Sequence, residues 1–186
     1  MAYSRSTITH LFALAWCCLL WGCGDGRSVG KLMERLQDAN VGVRQQAARE
    51  LRDRGPTATA AVPALAKALK DPDATVRTRS AQALREMGGA AKTVVSELTE
   101  ALNDTDPKVR ELSASCLARI GSDARPAVPT LLTTARDSVP DVRRAAINAL
   151  GRIDPSAQET IPILRTALND SDFQVRTAAA EALRGK

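Results

Sequence analysis

Residues Asp104–Gly121 read DTDPKVRELSASCLARIG, a stretch whose carboxylates, arginines and cysteine invite interpretation as an active site. Its Val109-Arg110 pair, however, recurs at a constant spacing of 33 residues, without a single insertion. The other copies are Val43-Arg44, Val76-Arg77, Val142-Arg143 and Val175-Arg176. A fixed period between about 20 and 50 residues is the signature of a solenoid, in which similar units stack on one another. The stretch therefore indicates architecture rather than catalysis.

Further positions keep the same register. An aspartate stands six residues before each of these arginines, and a leucine stands eight residues after each valine. The aspartates are Asp38, Asp71, Asp104, Asp137 and Asp170, and their arginines are Arg44, Arg77, Arg110, Arg143 and Arg176. The units begin at Val29, Val62, Val95, Val128 and Ile161, and the last is truncated at Lys186. The sequence thus predicts five units over residues 29–186.

Each unit has the pattern of two helices. In the second unit, Val62, Leu65, Ala66 and Leu69 form one apolar helical stripe. The second helix of a unit follows a residue that is a good N-cap, because its side-chain oxygen accepts from a free main-chain N–H. These residues are Asn40, Asp73, Asp106 and Asp172, and the glycines that end the second helices are Gly55, Gly88 and Gly121. The pattern predicts an all-α protein.

The pattern resembles HEAT repeats, specifically the short HEAT-like repeats named after phycobilisome lyases. The likeness is carried by the Asp-x5-Arg spacing and by a Val-Arg-x2-Ala-Ala-x2-Leu frame, and it covers residues 29–186. In the first unit the frame is Val43, Arg44, Ala47, Ala48 and Leu51. The resemblance implies a right-handed α-solenoid of helix hairpins, and it implies little about function.

The same resemblance implies a structural role for the recurring charges. In that family the aspartate and the arginine form a hydrogen-bonded ladder between successive units, and the rigid guanidinium fork suits carboxylates and helix-end carbonyls. All ten aspartates and arginines named above are therefore expected to be structural. Removal of Arg110 is expected to strand Asp104 or its equivalent in another unit. Cys116 occupies the position of Ala83 and Ala149 and is expected to be a small buried residue.

The N-terminal residues predict export. Arg5 precedes an apolar run, Leu11–Trp21, which is too short to span a bilayer but suits the core of a signal peptide. Leu20-Trp21-Gly22-Cys23 resembles a bacterial lipobox, which implies that Cys23 carries lipid and becomes the mature N-terminus. An ordinary cleaved secretory signal and an uncleaved anchor are the alternatives. The prediction is a signal peptide at 1–22 and, at 23–28, the lipidated cysteine with a short linker whose five residues 24–28 reach at most about 17 Å.

Composition narrows the possible chemistry. His10 is the only histidine, and Phe173 is the only aromatic residue after Trp21. Iron hydroxylases on related scaffolds use His-Glu pairs, and HEAT-like DNA glycosylases use several aromatic side chains. Zinc needs more cysteine and histidine ligands than residues 23–186 contain. The sequence therefore predicts no catalytic residues, no metal and no cofactor.

The exposed positions of the second helices form the candidate binding face. Its candidate binding residues are Arg49, Arg52, Arg85, Arg119, Arg144, Asn148, Arg152 and Arg184, and its other positions include Ser115, Ala118 and Glu181. The chain has a formal charge of +5 with both signs interspersed, and it lacks the concentrated basic patch that nucleic acid requires. We therefore expect a protein partner that lies along this face.

The sequence favours a non-enzymatic protein-interaction scaffold, lipid-anchored in the bacterial cell envelope, with the choice between inner and outer membrane left open. The first alternative is an accessory subunit of a bilin lyase or of an oxidoreductase-type enzyme. The second alternative is a protein that binds anionic lipid or nucleic acid through the basic helix face.

Overall fold

The computed structural model describes residues 28–154 and 158–184. Its α-helices are α1 (Val29–Arg35), α2 (Val41–Arg54), α3 (Val62–Ala68), α4 (Ala74–Met87), α5 (Val95–Ala101), α6 (Pro107–Ile120), α7 (Val128–Thr134), α8 (Pro140–Ile153), α9 (Thr160–Ala167) and α10 (Phe173–Arg184). The odd-numbered helices are the short first helices of the five units, and the even-numbered ones are the long second helices. The all-α solenoid that the period predicted is confirmed.

The second helices start and stop where the sequence predicts. The side chains of Asn40, Asp73 and Asp106 accept hydrogen bonds from main-chain N–H groups in the first turns of α2, α4 and α6. The three glycines after these helices have positive φ angles of 51°, 57° and 74°. Only glycine adopts this backbone conformation without strain, so these positions end the helices sharply.

Each of the first three units also contains a segment that the helix pattern did not predict. Seven residues of 3-10 helix, Gly55–Ala61, Gly88–Val94 and Gly121–Ala127, connect one unit to the first helix of the next. Small residues at their inward positions, such as Ala58, Ala91 and Ala124, are fully buried. A unit is therefore a hairpin of two helices followed by a short third segment.

The second helices stack on one another in a continuous layer, from α2 through α10, and each first helix packs against its own unit's second helix. The core between the two layers is aliphatic. Leu51, Leu84, Leu117 and Leu150 hold the same position in four units and are fully buried. This arrangement presents the remaining side of the second-helix layer as one exposed face.

Two predictions fall outside the described residues, namely the signal peptide at 1–22 and the lipidated Cys23. Within the described ranges, no helix has the length and apolar character needed to cross a membrane.

Candidate binding groove

The arginine ladder fixes the second helices relative to one another. The guanidinium of Arg44 donates from Nε and Nη2 to the two carboxylate oxygens of Asp71, at 2.7 and 3.0 Å. The same bidentate contact joins Arg77 to Asp104, Arg110 to Asp137 and Arg143 to Asp170. The paired side chains are only 8–15% exposed. Each pair therefore ties one unit to the next with little exposure to solvent.

Each arginine also holds the turn of its own unit. Nη1 of Arg110 donates to the main-chain oxygens of Asp104 and Thr105, at 2.8 and 3.3 Å. The corresponding atom of Arg44, Arg77, Arg143 and Arg176 does the same in its own turn. One guanidinium thus satisfies two otherwise free carbonyls and one carboxylate.

The aspartates have a matching double role. One carboxylate oxygen accepts from the main-chain N–H two residues further on, as Asp104 does from Asp106 at 2.8 Å. The same bond is formed by Asp38, Asp71, Asp137 and Asp170. The carboxylate therefore shapes its own turn while it receives the arginine of the preceding unit.

The direction of the pairing narrows one expectation to a single residue. Arg110 binds the carboxylate of Asp137 in the next unit, and it contacts its own unit's Asp104 only through the main-chain oxygen. Asp137, not Asp104, is the carboxylate that loss of Arg110 would strand. Arg176 and Asp38 are the two ladder residues that have no such ion pair with a described residue.

The hydrogen bonds shift the acidity of the aspartates. The pKa of the Asp170 carboxyl lies below its ordinary value, chiefly because Arg143 donates to it. Burial pushes the pKa of Asp137 upward, but hydrogen bonds from Arg110 and from the main chain outweigh this effect, so its pKa is also lowered. Hydrogen bonding to the aspartates raises the pKa of Arg77, Arg110 and Arg143 in turn. In the Arg110–Asp137 and Arg143–Asp170 pairs, both partners are therefore held in their charged forms.

A groove of about 580 Å³ lies on the second-helix layer and is here called the arginine groove. It is lined by Arg85, Arg119, Arg144, Arg152, Asn148 and Glu181, with Ser115, Ala118 and Ala145 also in its wall. The first five of these residues were predicted as part of the binding face, and the structure brings them together from α4, α6 and α8. Ser115, Ala118 and Glu181 also lie at positions of the predicted face, whereas Ala145 was not predicted.

The groove continues toward the C-terminal helix. A second hollow, of about 240 Å³, shares Arg144, Asn148 and Glu181 with the first and adds Phe173 from α10. Phe173 is 70% exposed, and the guanidinium of Arg176 lies 5.7 Å from the centre of its ring. The arginine groove therefore has an exposed apolar side chain at one end.

The arginines of the groove are only partly neutralised. Arg85 pairs with Glu86 at 2.8 Å, and Arg119 approaches the same carboxylate at 3.6 Å. Arg144 pairs with Asp141 at 2.9 Å, whereas its Nε is buried and has no hydrogen-bond partner among the described residues. Arg152 forms no ion pair with any residue in the described ranges. The groove consequently keeps positive charge and, at Arg152, donors that have no ion-pair partner among the described residues.

The remaining residues of the predicted face lie outside the arginine groove. Arg49 and Arg52 both pair with Asp53 at the N-terminal end of the layer, and Arg52 also donates to Gln82. Arg184 is exposed near the end of α10. The structure therefore divides the predicted face into an N-terminal part, where two arginines share one carboxylate, and a C-terminal part that contains the arginine groove.

Cys116 lies under this face and has no contact with solvent. Burial raises the pKa of its thiol to about 12. Since the thiolate is the reactive form of cysteine, Cys116 is a core residue, as its alignment with Ala83 and Ala149 predicted. Among the described residues, no group of three or more His, Cys, Asp or Glu side chains is arranged to hold a metal ion.

Stacked helix hairpins with a continuous second-helix layer define a helical-repeat solenoid. The chain belongs to the HEAT-repeat family, since a family model described as HEAT repeats matches residues 29–118 and 95–184. No curated protein is significantly similar to the whole sequence.

Three of the matching solved structures illustrate the shared fold. An engineered protein is 25% identical with a TM-score of 0.72, and the match covers 83% of this chain and 77% of that one. The complex of CpcE and CpcF of phycocyanin lyase from Nostoc sp. PCC7120 is 27% identical with a TM-score of 0.71, covering 88% and 68% of the two chains. A designed armadillo repeat protein in complex with the peptide (KR)4 is 18% identical with a TM-score of 0.73, covering 84% and 80%. At that identity, the armadillo protein is similar in fold alone.

Proposed function

We propose that this chain is a non-enzymatic scaffold that binds a protein segment along its second-helix layer. The arginine groove is the observation that carries the proposal. It is a long, open depression with unsatisfied donors, and the ladder holds the helices that line it in a fixed arrangement. Repeat proteins offer extended surfaces of this kind to extended partners.

Site-specific photo-cross-linking in cells tests the scaffold. A photoreactive amino acid at Asn148 or Ser115 reports on the groove, and one at Arg165 on the first helix α9 serves as the control. We expect distinct cross-linked proteins from both groove positions and none of them from position 165. Identical bands from all three positions, or none from the groove, would contradict the proposal.

We propose further that the scaffold is anchored to a bacterial membrane through lipid on Cys23. The support is the lipobox-like Leu20–Cys23 and the apolar run before it. Metabolic labelling with a fatty-acid analogue is expected to label the wild-type chain but not Cys23→Ser, and only the wild type is expected to stay with the membrane fraction. Unchanged labelling and fractionation of Cys23→Ser would remove the anchor from the proposal.

An accessory subunit of a bilin lyase-type enzyme is the second candidate. The supporting observation is the 27% identity to the CpcE–CpcF complex of phycocyanin lyase. This function requires the chain to meet a cytosolic substrate, whereas its N-terminal sequence predicts export. Fractionation separates the two candidates, because recovery of the full-length, unprocessed chain from the cytosol favours the lyase-type role.

A further inference from the structure

We propose that the arginine groove recognises an acidic, extended protein segment of about six residues. The proposal rests on the scaffold function above and specifies the chemistry of its partner. Four arginines from three successive units face the groove, and Glu181 is the one acidic residue in its lining. A guest with carboxylates is therefore complementary in charge.

The unsatisfied donors strengthen this assignment. Arg152 has no ion pair with a described residue, and Arg119 has a loose one at 3.6 Å with 47% of its side chain exposed. Arg144 is held by Asp141, and its Nε is buried, so it adds positive charge to the groove wall and not an accessible donor. A planar guanidinium donates two parallel hydrogen bonds to a carboxylate, so Arg119 and Arg152 each have the geometry for one acidic residue of the guest.

The groove also accommodates the guest's main chain. Ser115, Ala118 and Ala145 are small, so a backbone can approach the helices closely between the arginines. The amide of Asn148 both donates and accepts, and it can therefore bind a peptide unit of an extended chain. Helices stack about 8–10 Å apart, so three units present arginines over about 16–20 Å. At about 3.3–3.6 Å per residue, that span corresponds to about six extended residues.

The lining favours a protein segment over nucleic acid or lipid. Glu181 and Glu86 place negative charge beside the arginines, which a continuous row of phosphates would meet unfavourably. Phe173 is the one aromatic residue in the described ranges, and Arg176 lies over its ring, so the groove has no series of stacking platforms. The exposed Phe173 instead suits an apolar side chain at the end of the guest that lies beside it.

Peptide binding tests the proposal. The purified full chain, in detergent, is titrated against a fluorescent eight-residue peptide that alternates glutamate with glycine and ends in leucine. Matched peptides carry glutamine or lysine in place of glutamate. Fluorescence anisotropy is expected to show at least tenfold tighter binding of the glutamate peptide, and equal affinity for the glutamate and glutamine peptides would overturn the proposal.

Charge reversal locates the binding. Arg119→Glu/Arg152→Glu is expected to weaken the glutamate peptide at least tenfold and to strengthen the lysine peptide. The matched control Arg165→Glu, which makes the same kind of change on α9, is expected to bind like the wild type. Arg119→Gln/Arg152→Gln provides a second, size-conserving test, and circular dichroism melting establishes that each variant is folded. Equal loss in Arg165→Glu would show a non-specific charge effect and overturn the proposal.

Two further titrations decide between partner classes. A 12-nucleotide single strand and vesicles that contain phosphatidylglycerol are expected to bind more weakly than the glutamate peptide. Tighter binding of either, lost in Arg119→Glu/Arg152→Glu, would assign the groove to phosphates and overturn the acidic-segment proposal.

Cross-linking from Asn148 separates this proposal from the scaffold itself. Capture of the same protein by the wild type and by Arg119→Glu/Arg152→Glu leaves the scaffold in place and overturns the acidic specificity. Absence of any capture from Asn148 would overturn the scaffold, and with it the partner proposed here. Capture that the double variant abolishes supports both.

Discussion

At the scale of single residues, the ladder pairs differ from ordinary surface ion pairs because each arginine has several simultaneous partners. Arg110 donates to both oxygens of Asp137 and to two main-chain carbonyls, and its side chain is 15% exposed. Exposed pairs contribute about 0–1 kcal/mol, whereas breaking a buried pair costs about 3–5 kcal/mol because it leaves one charge unpaired. The ladder pairs are therefore expected to behave as buried pairs.

Arg110→Ala is therefore expected to lower the free energy of unfolding by about 3–5 kcal/mol, because it strands Asp137 and two carbonyls. The matched control is Arg125→Ala, since Arg125 pairs with Asp154 but is 66% exposed; its expected cost is at most about 1 kcal/mol. Urea denaturation measures both. Similar losses in the two variants would show that the ladder does not contribute more than a surface pair.

Acid is expected to weaken the array through two ladder aspartates and one N-cap aspartate. The pKa values of Asp73, Asp137 and Asp170 are lowered in the folded chain, so the folded state binds fewer protons than the unfolded state. The stability they contribute is present above the unfolded pKa of about 3.9 and is lost as pH falls through their folded pKa values.

Thermal melting at pH 7 and pH 3 measures this loss. Asp170→Asn is expected to show a smaller drop in melting temperature between the two pH values than the wild type, because one of the titrating groups is gone. Asp123→Asn, at an exposed position, is expected to keep the wild-type drop. A wild-type melting temperature that does not fall at pH 3 would contradict the assignment.

At the scale of the elements, the close packing of α8 on α10 depends on one glycine. A Cβ atom at Gly151 would lie 2.5 Å from Cβ and 3.3 Å from Cα of Ala182. Neighbouring units carry Arg85 and Ala118 at the same register position, so the sequence period alone gives no reason for glycine there. The approach of α10 supplies that reason.

Gly151→Ala is expected to destabilise the array, although alanine is the better helix former. Overpacking costs about 1–3 kcal/mol, which exceeds the gain of about 1 kcal/mol in helix propensity. The double variant Gly151→Ala/Ala182→Gly removes the clash and is expected to recover part of the loss, as a double-mutant cycle on unfolding midpoints would show. A Gly151→Ala chain more stable than wild type would disprove the close contact.

The helices were predictable because their signals are local. Period, N-cap residues and stop glycines all lie within one unit, and they placed α2, α4 and α6 correctly. The 3-10 segments were not predicted, because residues such as Gly55–Ala61 carry no helical apolar stripe and become ordered by burial of Ala58 and Ala61. Helix propensity is a weak guide to the conformation of a segment that is ordered mainly by packing between units.

The site was predictable only in part. Asp104 and Asp137 stand at fixed spacings of 6 and 27 residues on either side of Arg110, so the period alone cannot choose between them. The structure assigns the carboxylate to the longer spacing. Arg85 and Arg119 also come from different register positions, and only the stacking of α4 and α6 brings both to the wall of the arginine groove.

At the scale of the whole molecule, Cys116 lies in the middle unit and reports on opening of the array. In a chain whose Cys17, Cys18 and Cys23 are replaced by serine, we expect labelling by a maleimide at pH 8 to be at least about 100-fold slower in the native state than in urea, because the native thiol is buried and its pKa is raised. Rapid native labelling would show that the middle unit opens independently, as a one-dimensional array permits when its interfaces are weak.

Because successive units are joined by the same ladder contacts, a whole unit can be deleted or duplicated without loss of these contacts. If Ala74–Asp106 were deleted, Asp73 would precede Pro107, and Arg110 would occupy the place of Arg77 beside the turn of Asp71. Arg44 would still reach Asp71, and Arg110 would still reach Asp137. Duplication or loss of a segment that encodes 33 residues therefore preserves the ladder contacts between successive units. It lengthens or shortens the proposed binding surface by about 8–10 Å. Evolution can therefore change the length of the binding surface by whole repeat units without changing the contacts between units.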